Sequence, residues 1–321
     1  PYPLVHTNYW LSSWVGMELK KKQPLRQVHT YHSLGAVKYK SIPTIPLIAK
    51  TRLAVEKAVL ETADRIVATS PQEKEHMRSL VSSQGSIDII PCGTDVAHFG
   101  SVSQEAARQA LAIAADEKVV LYVGRFDPRK GIETLVRAVA QSVLRETGKL
   151  KLIIGGGSVP GQSDGLERDR IEEIVAELGM TEMVTFPGRL SREILPTYFA
   201  AADVAVVPSH YEPFGLVTIE AMAAGTPVVG SDVGGLKYTV ASGETGMLVP
   251  PKNVDAFATA IDQILLDSEL RDQMGQAARE RVQTLFSWAG VATQLDALYT
   301  KLLEKQPGSA EKTAKLTPVS A

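Results

Sequence analysis

Between residues 117 and 284 the chain alternates short, nearly continuous apolar runs with segments whose apolar residues recur at helical spacing. The runs KVVLYVG (118–124), LKLII (150–154), MVTF (183–186), VAVV (204–207) and VVG (228–230) predict strands. Helices are predicted at 132–145, at 170–178 with Gly179 as the stop signal, around 193–201 and around 218–224. Strands without polar alternation, joined by helical crossovers, need a parallel sheet covered on both faces, so this half predicts a doubly wound α/β domain. The front half shows the same alternation less completely, with strands at 25–30, 65–69 and 87–90, helices at 51–62 and 71–81, and material for about four strands. The Ala- and Gln-rich stretch 101–115 reads as a passage between domains, and the Lys-, Pro-, Ser- and Ala-rich residues 305–321 read as a disordered tail.

Length and composition fit two domains: 321 residues, 44% hydrophobic and 22% charged. A formal net charge of −2 removes any nucleic-acid reading based on bulk basicity. Cys92 is the only cysteine, so an internal disulfide and a cysteine-built zinc site are excluded and a reducing compartment is permitted. No run approaches 18 apolar residues, and residues 1–10 lack the charged start and apolar stretch of a signal peptide, which makes the cytoplasm the expected location. Charge is uneven, however: residues 1–60 carry nine Lys and Arg against two Glu. Such a front attracts an anionic substrate or a lipid surface; Lys20, Lys21 and Lys22 read more simply as a solvated helix end, and membrane contact is not favoured.

Ligands of doubly wound sheets sit at the carboxyl ends of the strands. After the strand ending at Val123, GRFDPRKG projects Arg125 and Lys130 beside a helix start, which suits a diphosphate; a surface turn with solvated cations fits equally. After 150–154 comes GGGS, without the spacing or the trailing acidic residue of a dinucleotide fingerprint, so a structural turn is the simpler reading and an oxidoreductase is disfavoured. After 204–207, PSHYEPFGLVTIE sets Glu212 and Glu220 across a loop that becomes a helix. Two carboxylates so placed can accept hydrogen bonds from the hydroxyls of a sugar and a ribose, or can be ordinary helix-surface acids. In the front half, HTYHSLG puts His32 just past a strand end beside glycine, placed to donate across a cleft. His29 and His32 diverge along an extended segment and no carboxylate is near, so a metal reading fails.

GRFDPRKG, IIGGGS and the run from FPGRLSREIL through SHYEPFGLVTIE to TPVVGSDVGG, in this order and spacing, resemble family 4 of the retaining glycosyltransferases, from about residue 6 to residue 303. The resemblance implies the GT-B fold, two Rossmann-like domains facing a cleft, with a partial acceptor-side domain at 1–110, a nucleotide-sugar domain at 111–285 and a helix at 286–304 returning to the first domain. It implies that Arg125 and Lys130 neutralise the departing nucleoside diphosphate, so that no metal or other cofactor is required. Glu212 would lie near the donor sugar, Phe214, Gly215 and Leu216 would hold sugar hydroxyls and phosphate through their amides, and Glu220 would take the ribose. The segment from Gly188 to Leu190 would lie along the base. His32, in an HSLG element like that of the sucrose-phosphate synthase branch, would touch the hexose near its 6-hydroxyl, and Lys38, Lys50 and Arg52 resemble that branch's acceptor-side cations.

The expected activity is retaining transfer of a hexose, glucose from UDP-glucose, to a small-molecule or sugar-phosphate acceptor. The partners are then a nucleotide-sugar donor and that acceptor. One departure weakens the match. Only about 105 residues precede the passage, with no opening strand and glycine-rich loop, so the first domain is expected to be incomplete and to leave a sheet edge exposed. A nucleotide-sugar-binding module without catalysis is therefore the alternative.

Overall fold

A computed structural model describes residues 2–40 and 44–304; the tail expected at 305–321 lies outside the described residues. The first domain runs β1 (Leu4–Asn8), α1 (Tyr9–Lys22), β2 (Arg26–Thr30), α2 (Gly35–Lys38), α3 (Ala49–Thr62), β3 (Arg65–Ala68), α4 (Pro71–Leu80) and β4 (Ile87–Ile89). Its four strands form a parallel sheet in the order β1-β2-β3-β4. The strand β1 is not among those the sequence pattern predicts, and it runs directly into α1. LVHTN has only two strongly apolar positions, and its pairing with β2, Leu4 to Arg26 through Asn8 to Thr30, supplies what its own pattern lacks.

Two short helices follow, α5 (Val96–Phe99) and α6 (Gln104–Ala110). The second domain contains β5 (Lys118–Val123), α7 (Ile132–Ala140), β6 (Leu150–Gly155), α8 (Ser163–Glu177), β7 (Val184–Gly188), α9 (Leu195–Ala201), β8 (Val204–Val207) and α10 (Leu216–Ala223). It continues through β9 (Val228–Ser231), α11 (Leu236–Thr239), β10 (Gly246–Val249), α12 (Val254–Leu266) and α13 (Ser268–Leu285), and α14 (Trp288–Glu304) closes the described chain. The stretch expected to be a passage is instead part of this domain: Phe99, Ala107 and Ile113 join the core formed by Val119, Leu121, Phe199 and Met222. Helix α7 is the element whose pattern was plainest, with Ile132, Leu135, Val136 and Val139 all fully buried at spacings of three and four. Burying each such side chain contributes about 1.5–3 kcal/mol as an upper figure.

The second sheet is parallel, in the order β10-β9-β8-β5-β6-β7. Read from β7, this is the dinucleotide-fold order, and it reverses between β5 and β8, where Val120 pairs with Val204 and Leu121 with Ala205. Chain direction diverges on either side of that pair, opening a crevice beyond their carboxyl ends. The motifs that follow β5 and β8 therefore meet there.

Helix α14 crosses back to the first domain, laying Val291, Leu298 and Leu302 on Val28, Val67 and Ile90. Thr94 and the segment 286–288 exchange two backbone hydrogen bonds, Thr94 N to Phe286 O at 2.8 Å and Trp288 N to Thr94 O at 3.2 Å, so the two interdomain crossings run side by side. His6 of β1 meets the Tyr299 hydroxyl at 2.6 Å and ties the returning helix to the first sheet. No helix among the described residues is long and apolar enough to cross a membrane.

Candidate active site

Strand ends from both domains converge on one cavity of about 340 Å³. The first domain contributes His32 after β2, Thr69 after β3 and Cys92 after β4; the second contributes Gly124, Arg125 and Lys130 after β5, and residues of 209–217 after β8. A larger open depression, about 850 Å³, lies between Val96–Ser103 and α13, at the far end of α10. Its one cation there, Arg279, is engaged with the Ala224 carbonyl, and strand carboxyl ends do not reach it. The smaller cavity is the chemical one.

The turn after β5 is built to aim its cations. Asp127 accepts from the Arg129 backbone N at 3.0 Å and from its guanidinium, which holds the Asp127 carboxyl below its ordinary range and leaves Lys130 and Arg125 to face the crevice. Gly131 closes the turn at φ 68° and starts α7; a β-carbon there would collide with the Pro208 carbonyl. The two loops are further joined by the His210 N donating to the Arg129 carbonyl at 2.8 Å. Arg125 is exposed and has no carboxylate at ion-pair distance among the described residues, whereas Lys130 Nζ donates to Glu212 Oε2 at 2.5 Å.

The loop after β8 ends at Gly215, φ 90°, which caps α10 without a side-chain bond, so the first amides of that helix point into the crevice. Glu212 is fixed from behind, its carbonyl accepting from Gly235 N at 2.9 Å. Phe214 is buried, stacking edge-on with Phe286, so its backbone rather than its ring is what faces a ligand. Glu220 lies one helix turn past Leu216, partly buried; burial pushes its carboxyl up, opposed by Arg192 and His98. Gly188 ends β7 at φ 78°, and Leu190 packs where a Gly155 side chain would be. The GGGS glycines serve packing: a β-carbon on Gly156 would strike the Gly124 carbonyl.

His32 occupies the left-handed region at φ 58° and its Nε2 donates to Asn8 Oδ1 at 2.9 Å. Although the ring opens onto the cleft, the walls desolvate it and lower its pKa, so the neutral form keeps Nδ1 as an acceptor. His29, by contrast, is sealed within β2 and takes no part in the cleft. The three acceptor-side cations separate: Lys50 is exposed on the outer start of α3, Lys38 is half-buried in α2, and Arg52 is only 2% exposed beneath the Tyr9 ring, 5.1 Å from its centroid.

Tyr9, Thr69 and Cys92 escaped the sequence reading. Each follows a first-domain strand, so applying the strand-end rule to all four strands, and recognising β1, would have found them. Burial, with Glu73 adding, pushes the Cys92 thiol up to about 12, which keeps it protonated and unsuited to nucleophilic work. Among the described residues no group of three or more His, Cys, Asp and Glu side chains is arranged to hold a metal ion.

Two parallel-sheet domains with cations, helix amides and carboxylates at the switch point of the second define a GT-B glycosyltransferase. Residues 103–281 match the glycosyl transferases group 1 family and residues 1–98 match glycosyltransferase family 4. The chain belongs to this family. It is 38% identical over 307 residues to a D-inositol 3-phosphate glycosyltransferase of Nocardia farcinica, covering 94% of this chain and 67% of that protein. The structure resembles sucrose-phosphate synthase from Thermosynechococcus elongatus, with 51% identity, a TM-score of 0.85, and 95% of this chain and 75% of that one covered. It also shares its fold with Anabaena HepE in complex with UDP and glucose, at 23% identity, a TM-score of 0.80, and coverage of 93% and 78%.

Proposed function

We propose that the protein transfers glucose from UDP-glucose, with retention of configuration, to a phosphorylated sugar or polyol. One observation carries the reading: Arg125, Lys130, Glu212, the first turn of α10 and His32 of the opposite domain all border a single cavity at the sheet's switch point. Heterolysis of a glycosyl phosphate leaves positive character on the ring and negative charge on the diphosphate. Fixed cations and helix amides at the diphosphate are therefore worth more in the transition state than in the ground state. Arg125, Lys130 and the amides of Gly215 and Leu216 take that charge, Glu220 takes the ribose, and the Gly188–Leu190 backbone runs along the base. Glu212 is committed to Lys130 rather than poised as a nucleophile. The acceptor hydroxyl then attacks from the face the diphosphate leaves, its proton passing to a diphosphate oxygen as the C1–O bond breaks. His32 accepts from a hexose hydroxyl through Nδ1.

The relatives' names support a phosphorylated acceptor, since making a sucrose phosphate from a glucosyl donor consumes a fructose phosphate, and the other relative is named for an inositol phosphate. The basic first sixty residues favour the same charge class. The test is UDP release from UDP-glucose with fructose 6-phosphate or D-inositol 3-phosphate, with the anomeric centre of the product read by NMR. An α-linked product is expected; UDP-glucose binding without turnover on either acceptor favours the non-catalytic module instead.

A further inference from the structure

We propose that Glu56 is a positioning residue that locks Arg52 and the turn carrying His32 into one unit, so that a single buried carboxylate sets recognition of the phosphorylated acceptor. The inference rests on the acceptor reading above. Arg52 and Glu56 lie one turn apart on α3, with side-chain exposures of 3% and 0%. Arg52 Nε donates to Glu56 Oε1 at 2.7 Å, and the Gly35 backbone N donates to both oxygens of Glu56, at 3.0 and 2.9 Å. The same guanidinium donates through Nη2 to the Ser33 carbonyl at 2.6 Å, and the Tyr31 hydroxyl donates to the Glu56 carbonyl, also at 2.6 Å.

Residues 31, 33 and 35 are thus each tied to the pair, leaving His32 between them in a backbone conformation that costs free energy. A left-handed residue other than glycine persists only where its surroundings over-determine it, and these ties do so. A buried ion pair is by itself a weak stabiliser, because desolvation offsets most of the attraction. This one holds loop backbone at two residues, the Ser33 carbonyl and the Gly35 amide, so its effect is geometric. The clamp leaves no slack: a β-carbon on Gly35 would sit 2.9 Å from Glu56 Oε2 and 3.1 Å from Arg52 Nε. What remains to Arg52 is the Nη1 edge, which donates to the Tyr9 hydroxyl at a long 3.3 Å; the guanidinium being buried, an acceptor phosphate claims that edge by displacing Tyr9, itself 40% exposed.

Glu56→Gln keeps the side chain's size and one oxygen for Gly35 but removes the charge opposite Arg52. Losing a charge-assisted bond at the binding cation is expected to raise the KM for fructose 6-phosphate or D-inositol 3-phosphate by about tenfold or more. UDP affinity, measured by calorimetry, should shift less than about threefold, because the cations at the diphosphate are untouched. Arg52→Ala and the Arg52→Ala, Glu56→Gln double variant should then share one acceptor KM, since both lose the same contact. A lowered Tm with unchanged acceptor KM makes Glu56 a packing residue and overturns the proposal. If Glu56→Gln fails to fold, Gly35→Ala decides, because it pushes the clamp apart without altering charge: an unchanged acceptor KM there also overturns it. Wild-type protein that binds neither phosphorylated acceptor takes down the acceptor reading and this inference together, whereas wild-type binding matched by Glu56→Gln takes down the inference alone.

Discussion

Lys130 Nζ and Glu212 Oε2 stand 2.5 Å apart across the crevice between the β5 and β8 loops, both largely shielded from solvent. The carboxylate thus holds the cation that a diphosphate would need. Binding must draw Lys130 away from Glu212, or add a second anion to a charge already matched. Glu212→Gln should therefore bind UDP several-fold more tightly, because a neutral amide competes less for the ammonium. Turnover should fall at least about tenfold, since the group placed beside the hexose has lost its charge. UDP titration beside steady-state turnover checks both; weaker UDP binding in the variant refutes the competition.

Arg125 differs from Lys130 in having, among the described residues, no carboxylate at ion-pair distance to release. Removing a preset donor of transition-state charge costs about 10²–10³ in rate, and Arg125→Ala is expected to lose that much kcat. Because the side chain is exposed beyond a strand end, folding stability should move by no more than about 0.5 kcal/mol. Wild-type turnover in a well-folded variant removes the leaving-group role.

Addition of a chelator should leave transfer unchanged, because the proposed leaving-group charge is met by side chains and helix amides. Full inhibition by EDTA, reversed by magnesium, contradicts this arrangement.

The second domain was legible because its strands are nearly continuous apolar runs and its candidate site residues follow them: Arg125, Lys130 and Glu212 border the cavity that the strand-end rule places. The family resemblance added what spacing alone left even, a sugar and diphosphate reading over a solvated turn. The first domain was harder. LVHTN carries three polar positions among five and gains its strand character from pairing with β2, so Tyr9, which follows it, stayed out of view. Arg52 was recognised as a cation, but its burial against Glu56 depends on α3 turning that face toward the 31–35 turn, which no local pattern expresses. Residues 101–115 looked like a passage because α6 is short and alanine-rich, yet Ala107 is fully buried.

Two histidines make the first domain acid-sensitive. Burial lowers the pKa of His29 to about 3 and that of His6 to about 4, both from an ordinary 6.5. Below pH 6.5 the unfolded chain takes up protons that the folded chain refuses until those lower values. Stability therefore falls as pH drops from 6.5 toward 4 and is insensitive to these two groups above that range. Each such proton contributes a slope of about 1.4 kcal/mol per pH unit. His29→Asn, which can keep a partner for the Thr7 hydroxyl at 3.0 Å, should flatten the curve by about that much. Urea unfolding at several pH values measures it, and an unchanged slope shows that His29 does not carry the sensitivity.

Gly131 joins the aiming of Lys130 to the start of α7, and Gly131→Ala separates folding from chemistry at that point. Two costs fall together: an alanine at φ 68° is strained, and its β-carbon meets the Pro208 carbonyl. Strain of this kind costs about 1–3 kcal/mol. The loop can relieve the clash only by drawing back from 208–210, which lengthens the Arg129 to His210 bond and moves Lys130 from Glu212. Tm is expected to fall by several degrees while kcat falls by more than stability alone explains, because misplacing a catalytic group by about 1 Å can cost 10²-fold. Turnover measured well below the variant's Tm distinguishes the two effects. A variant that is less stable yet as fast as wild type shows that the turn does not aim Lys130.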